Sequence, residues 1–332
     1  MPPSAHGRRR RSALVVTAVA LAVLGACRTL PADELRQPVA IEVIAEHVPL
    51  NYQDHRIHTV GRLRYRGGLS LSAGEPHFGG LSGLIVSADG TKITAVSDMG
   101  YWLAGSLGYG SGSDLVSIAG VRMGPLLAPD GAPTTGKLRG DAESIAPDGR
   151  GGVLVGFEQA HRLWRYPALA GRPGPVQAPT ELSQAPANGG LEALAKLDDG
   201  RFLALSEQLA GPGGTRGWIG GPKRWEPLTL AADGGFAPTA AAVLPNGDAL
   251  VLERRFPPVG ARVLRIDATS IAPGATLKGE ELARLEGAYA VDNMEGIAAR
   301  TGPKGETLIY LLSDDNFNPL QQTWLLMFEL AP

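Results

Sequence analysis

The chain has 332 residues, 44% of them hydrophobic, with 31 Lys and Arg against 33 Asp and Glu. That length and apolar content support a large packed core, and the absence of a basic tract beyond the first residues excludes the electrostatic footprint of a nucleic-acid binder. Gly at 45 and Pro at 26, with few long helical patterns, point to many short strands and turns rather than to disorder.

The first element in chain order is a leader. Arginines at 8–11 precede SALVVTAVALAVLGA (12–26), an uncharged apolar run too short for a comfortable membrane span and suited to a signal-peptide h-region. It closes on Leu24-Gly25-Ala26-Cys27, which resembles a bacterial lipobox, where the Cys is lipidated and becomes the mature N-terminus. The arginine cluster fits either twin-arginine or general secretory export. Both imply an exported, periplasmic or cell-surface lipoprotein held to the membrane through Cys27. Cys27 is the only Cys, so no internal disulfide braces the folded part. Residues 1–26 are therefore expected to be removed, 27–38 to form a tether, and 39–332 to fold as one monomeric domain. Losing the four arginines takes the net charge from −2 to −6.

Five later segments share one pattern. They are GGLSGLIVSADGTKITAVSDMG (79–100), DAESIAPDGRGGVLVGFEQ (141–159), GGLEALAKLDDGRFLALSEQ (189–208), FAPTAAAVLPNGDALVLERRF (236–256) and DNMEGIAARTGPKGETLIYLLSDDNF (292–317). In each, a small or acidic residue leads a short apolar strand, and an Asp-Gly, Asn-Gly or Lys-Gly turn follows. A second apolar strand then ends on a carboxylate. Such dipeptides supply the positive φ of tight turns, so each unit reads as a β-hairpin. Further strand-like pieces (SDLVSI, HRLWRY, ARVLRID, TWLLMFEL) lie behind most units. The lead positions Ser82, Glu143, Glu192, Thr239 and Glu295 are separated by 61, 49, 47 and 56 residues. Four-stranded propeller blades span about 40–50 residues. The piece from Ile41 (IEVIAEHVPL and HTVGRLRYRGGLSLS) is expected to give outer strands of a further blade closed by TWLLMFEL. The expected fold is an all-β, six-bladed β-propeller, with five or seven blades also compatible.

The start of a hairpin's first strand and the end of its second share one sheet edge. Glu143, Glu192 and Glu295 should therefore form one ring at a single mouth, with Asp98, Glu158, Glu207, Glu253 and Asp314 close by. In SDDNFNPL (313–320), Asp315, Asn316 and Asn318 extend the last position, the acidic rim of the final blade. Converging carboxylates repel one another unless neutralised, and Ca²⁺, which takes six to eight oxygen ligands in loose geometry, suits such a set. Contacts between blades are the other use of the same side chains. Asp89, Asp148 and Asp199 precede turn glycines and read as structural. Arg254 and Arg255 follow Glu253, and His161 and Arg162 follow Glu158; these are candidate contacts for an anion, since an Arg fork binds phosphate or carboxylate bidentately. Ser82 stands where other units carry Glu, but no His is assigned beside it, His77 being nearest in sequence. No G-x-S-x-G is present, so a nucleophile elbow is not indicated.

The strings DAESIAPDG, GGLEALAKLDDGRFLALSE, FAPTAAAVLPNGDALVLERRF, VDNMEGIA and SDDNFNPLQQTWLL, spread over 77–330, resemble the phytase-like family of bacterial exported proteins, described as having esterase-like activity of phytase. The resemblance implies a β-propeller and, by more remote analogy with six-bladed alkaline phytases, Ca²⁺-assisted hydrolysis of phosphate esters. The leading expectation is a Ca²⁺-binding hydrolase acting on a small anionic or ester substrate, a phosphoester foremost. A non-catalytic envelope module binding a ligand or protein stays open, as does a lactonase or aryl-ester hydrolase with one axial Ca²⁺.

Overall fold

Each of the five turn dipeptides reverses the chain where expected, with its glycine at positive φ (Gly90 at 76°, Gly200 at 87°). Asp89, Asp148 and Asp199 each accept the backbone N–H two residues ahead, so these acids serve their turns. The computed structural model describes residues 34–331; the arginines at 8–11, the run 12–26 and Cys27 lie outside them.

Four strands come first: β1 (Val39–Ala40), β2 (Val43–His47), β3 (Thr59–Val60) and β4 (Leu63–Ala73). The first blade is β5 (Leu81–Val86), β6 (Lys92–Ser97), β7 (Tyr101–Tyr109) and β8 (Leu115–Pro125), with β1 added at its outer edge. A single helical turn, α1 (Lys137–Gly140), leads into the second blade, formed by β9 (Ala142–Pro147), β10 (Val153–Phe157), β11 (Arg162–Tyr166) and β12 (Gly174–Val176). The third is β13 (Leu191–Lys196), β14 (Phe202–Gly211), β15 (Gly214–Gly221) and β16 (Arg224–Ala231). The fourth has β17 (Ala237–Val243), β18 (Ala249–Arg255) and β19 (Gly260–Ile266). From there β20 (Thr276–Leu277) crosses to pair with β16, and β21 (Glu280–Glu286) completes the fourth blade. The chain ends with β22 (Asn293–Thr301), β23 (Thr307–Asp314) and β24 (Thr323–Leu330).

The propeller has five blades, the lower count compatible with the sequence. The N-terminal strands do not build a blade of their own. The last hairpin and TWLLMFEL supply only three strands, and β4 pairs with β24 while β2 pairs with β4, giving the order β2-β4-β24-β23-β22. The two ends of the domain thus lock into one sheet, which leaves no open edge on β24. The inner strands β5, β9, β13, β17 and β22 each lie beside the next, and β22 lies beside β5, closing the ring.

Packing follows from that ring. Five apolar clusters fill the five spaces between neighbouring blades. Val96 and Trp102 of the first blade meet Val155 and Phe157 of the second; Leu250 and Val263 of the fourth meet Ile309 and Phe328 of the fifth. Close approach at the axis demands small residues. A Cβ on Gly296 would stand 2.9 Å from the Cβ of Leu84, and hydroxyls stitch blades together, Thr239 donating to the Met294 carbonyl at 2.7 Å and Ser144 to Leu191 at 3.0 Å. The closing strand carries its share of this core. Leu69 on β4 is fully buried in the cluster between fifth and first blades. Leu69→Ala is expected to lower unfolding free energy by about 3 kcal/mol, read as a lower urea midpoint; a loss below about 1 kcal/mol would show that β4 adds little to closure.

Candidate functional site

Every inner strand is irregular near its start. In β9, β13, β17 and β22 the residue left without a cross-strand partner is Glu143, Glu192, Thr239 and Glu295 in turn; in β5 it is Gly83, next to Ser82. A β-bulge adds one residue to one strand and re-aims its side chain. These bulges explain how the lead carboxylates of separate blades come to act on one another, Glu192 with Glu143 and Glu295.

The pairs just before the bulges make Phe157, Ser206, Glu253 and Ser313 equivalent; in the first blade, where the bulge comes one residue later, Ser97 takes this place through its pair with Leu81. The residues after them form the second ring: Asp98, Glu158, Glu207, Arg254 and Asp314. Glu253 therefore falls one position short of it. A one-residue step turns a strand side chain to the opposite face. Glu253 instead meets its β19 partner Arg262, whose Nε lies 2.5 Å from Oε2, with both side chains buried. The fourth blade thus brings a base to the mouth where the sequence pattern suggested an acid.

A carboxylate outside the repeat pattern completes the mouth. Asp141, at the end of α1 and two residues before Glu143, is fully buried, and neither of its oxygens has a hydrogen-bond partner. Asp141, Glu143 and Glu158 bring carboxylate oxygens within 4.8 Å of one another, all three residues buried. Asp98, Glu192, Glu207, Glu295 and Asp314 are buried as well. Two cations answer these acids. Lys137 on α1 places Nζ 2.9 Å from Asp98 and 3.6 Å from Asp141. Arg254 binds Glu207 at 2.9 Å, Glu295 at 3.2 Å and the Asn293 amide oxygen at 2.6 Å.

Eight acids against two bases leave the mouth short of positive charge. Burial, followed by the charge of Asp141, pushes the Glu143 carboxyl well above its usual range. Burial, then Glu143, does the same to Glu192. Asp314 is pushed up to about 7 by burial and by Asp98, and Glu295 to about 8 by burial, with Arg254 opposing the rise. Glu158 is raised too, by burial, although its Oε1 accepts N–H bonds from Gly189 and Gly190.

The remaining expected residues have other partners. Arg255 turns away from the ring, pairs with Glu286 at 2.6 Å and lies over the Phe236 ring. His161 places Nε2 3.0 Å from the Pro186 carbonyl, while Nδ1 is buried without a partner beside Gly190. Asp315 accepts N–H bonds from Gly80 at 2.9 Å and Phe317 at 3.1 Å, tying the last blade to the start of the first. Asn316 and Asn318 both reach Gln321. Beyond Asp314, the acidic loop is thus chiefly a hydrogen-bonded turn. Ser82 is buried, and His77 is engaged by Glu75 at 2.6 Å.

A five-bladed propeller with an acid-lined mouth is the class these observations define. The family model described as "Phytase-like: Esterase-like activity of phytase" matches residues 76–317, and the chain belongs to that family. Among curated proteins no match is found. Solved structures of similar fold include a luciferin-regenerating enzyme (9% identity, 76% of this chain and 93% of that chain, TM-score 0.41). Others are the PQQ-bound aldose sugar dehydrogenase of Streptomyces coelicolor (15%, 87% and 98%, 0.41) and the major Malassezia sympodialis allergen Mala s 1 (12%, 88% and 96%, 0.42).

The raised carboxyls fix a pH response. They hold protons in the folded chain that the unfolded chain releases near about pH 4, so their contribution to stability is full below that pH and is lost as pH rises through about 7 for Asp314 and about 8 for Glu295. Calorimetry in EDTA is expected to show Tm falling between about pH 5.5 and about pH 8.5. A flat Tm would mean that contacts within the protein already compensate these charges. Arg254→Met is expected to cost about 2 kcal/mol at the upper pH and less at the lower, where Glu295 can hold a proton instead; an equal cost at both would remove the guanidinium from this balance.

Proposed function

We propose that the protein is an exported, lipid-anchored hydrolase that holds Ca²⁺ at Asp141, Glu143 and Glu158 and cleaves an ester, a phosphoester foremost. One observation carries this reading: a fully buried Asp141 carboxylate whose two oxygens lack hydrogen-bond donors, beside two further buried carboxylates. Lys137 at 3.6 Å answers this cluster only in part; incompletely compensated buried charge costs several kcal/mol, whereas a hard cation accepts three carboxylate oxygens readily. When bound, the cation supplies charge neutralisation and Lewis-acid assistance to an ester oxygen. The protein's own residues do the rest. Glu158 is fixed by the two backbone N–H groups, Lys137 orients Asp98 and Asp141, and Arg254 holds Glu207 and Glu295 in place. Glu192, pushed well above the usual carboxylate range, supplies a proton-holding group beside the cluster. Export and anchoring rest on the arginines at 8–11, the apolar run and Cys27.

The test is thermal unfolding of protein lacking residues 1–26, with EDTA or with Ca²⁺, paired with turnover of p-nitrophenyl phosphate and p-nitrophenyl acetate. Ca²⁺ is expected to raise Tm by several degrees, since saturation at about 100 times Kd stabilises by about 2.7 kcal/mol. Glu143→Gln is expected to reduce that shift and abolish turnover. No Ca²⁺ response at any concentration would remove the cation from this site. A Ca²⁺ response without turnover of either ester would leave a binding propeller in place of a hydrolase.

A further inference from the structure

On the mouth face, between the first and second blades, a cavity of about 210 Å³ opens beside α1, the turn that leads into Asp141. Leu138, Arg139, Ala160, Arg162 and Trp164 line it. Arg162, the first residue of β11, is held rigidly. Its guanidinium lies 4.0 Å from the Phe157 ring centroid and 4.4 Å from that of Trp164. Nη1 donates to the Ala160 carbonyl at 2.8 Å and Nη2 to the Arg139 carbonyl. Among the described residues, neither Arg139 nor Arg162 pairs with a carboxylate. Burial chiefly lowers Arg162 to about 10, and the charge of Arg139 adds to this while Tyr166 and Asp141 oppose it. Arg66, Arg254, Arg262 and Arg284, by contrast, are each paired with acids. Two neighbouring guanidiniums without a carboxylate ion pair, one of them stacked and pre-oriented, form a seat for a doubly charged anion.

We propose that this cavity is a phosphate subsite, in which Arg139 and Arg162 hold the phosphate of a small phosphomonoester and Trp164 and Leu138 take an apolar or aromatic group on its ester oxygen. Its place in turnover rests on the hydrolase reading given above, but its binding does not. Arg139 is exposed, so replacing it leaves the core untouched. Trp164 is partly exposed and offers its ring to an aromatic group.

Isothermal titration with phenyl phosphate and with inorganic phosphate, each in EDTA and in Ca²⁺, tests the assignment. Phenyl phosphate is expected to bind about tenfold more tightly than inorganic phosphate, the advantage of a buried ring. Arg139→Ala should weaken both ligands about tenfold, and Arg162→Gln should weaken them more. Trp164→Leu should remove only the phenyl advantage. Circular dichroism and Tm establish that each variant is folded, and Arg139→Ala alone decides the matter if Arg162→Gln is not. Phosphate binding in EDTA that Arg139→Ala weakens supports the subsite even where Ca²⁺ has no effect. Ca²⁺ stabilisation with no phosphate binding in either condition overturns the subsite and leaves the cation site standing. Binding that needs Ca²⁺ and ignores Arg139→Ala assigns the phosphate to the cation, and also overturns it.

Discussion

A carboxylate removed from water requires a proton, a cation or a set of hydrogen-bond donors, and eight of them stand around this propeller's mouth. The sectors meet that demand differently. Glu207 and Glu295 share one guanidinium, Asp98 has an ammonium, and Glu158 and Asp314 accept backbone N–H groups. Asp141 has only Lys137 at 3.6 Å, and among the described residues neither Glu143 nor its neighbour Glu192 has a paired cation or an N–H donor. The mouth is therefore not a uniform ring of negative charge. It is a ring whose second blade is under-compensated, and that sector is where a cation gains most by entering.

The same constraint explains why the bulges matter. A regular strand would leave each lead residue in register with its neighbour on the second strand, alternating in and out. The extra residue in β9, β13, β17 and β22 breaks that alternation at one level of the propeller. Burial of the resulting acids is tolerated because five blades pack through five apolar clusters and are closed by β4 and β2 on the last sheet. Asp315 adds a direct bond across the same seam through the Gly80 N–H. The acidic loop of the last blade thus divides its work: Asp314 stands in the ring, and its neighbour holds the ring shut.

Much of this was legible in the sequence, for a physical reason. Turn dipeptides and apolar alternation act locally, so the five hairpins, their order and the lead residues follow from short windows. What was not legible depends on register and on neighbours far away. Glu253 and Arg254 are adjacent, and only the pairing of β18 with β17 decides which of them reaches the mouth. Asp141 occupies a position where other units carry Gly80, Gly190, Ala237 and Asn293, so no repeat pattern marks it. The signal present was the Lys137–Asp141 spacing of four residues, a pair that α1 brings together. The blade count was likewise a question of which sheet β4 joins, a contact spanning most of the chain.

Arg254 also settles how an anion can be received. Its Nη groups bond Glu207 and Asn293 and its Nε faces Glu295 at 3.2 Å, which commits the guanidinium on three sides. Turning it toward a substrate would leave two buried carboxylates without their cation, a cost of several kcal/mol that a single phosphate contact does not offset. The fourth blade's base is thus part of the scaffold, and so is Arg255 through Glu286. In the proposed phosphate subsite, recognition of negative charge falls to guanidiniums not paired with acids. On this face Arg139 and Arg162 form no ion pair with a carboxylate among the described residues, and Arg162 keeps N–H groups beyond those given to the Ala160 and Arg139 carbonyls. The division of labour follows from charge: Arg254 of the fourth blade, paired with acids of the third and fifth, holds the mouth together, and the bases without a carboxylate beside the second are the ones placed to meet a ligand.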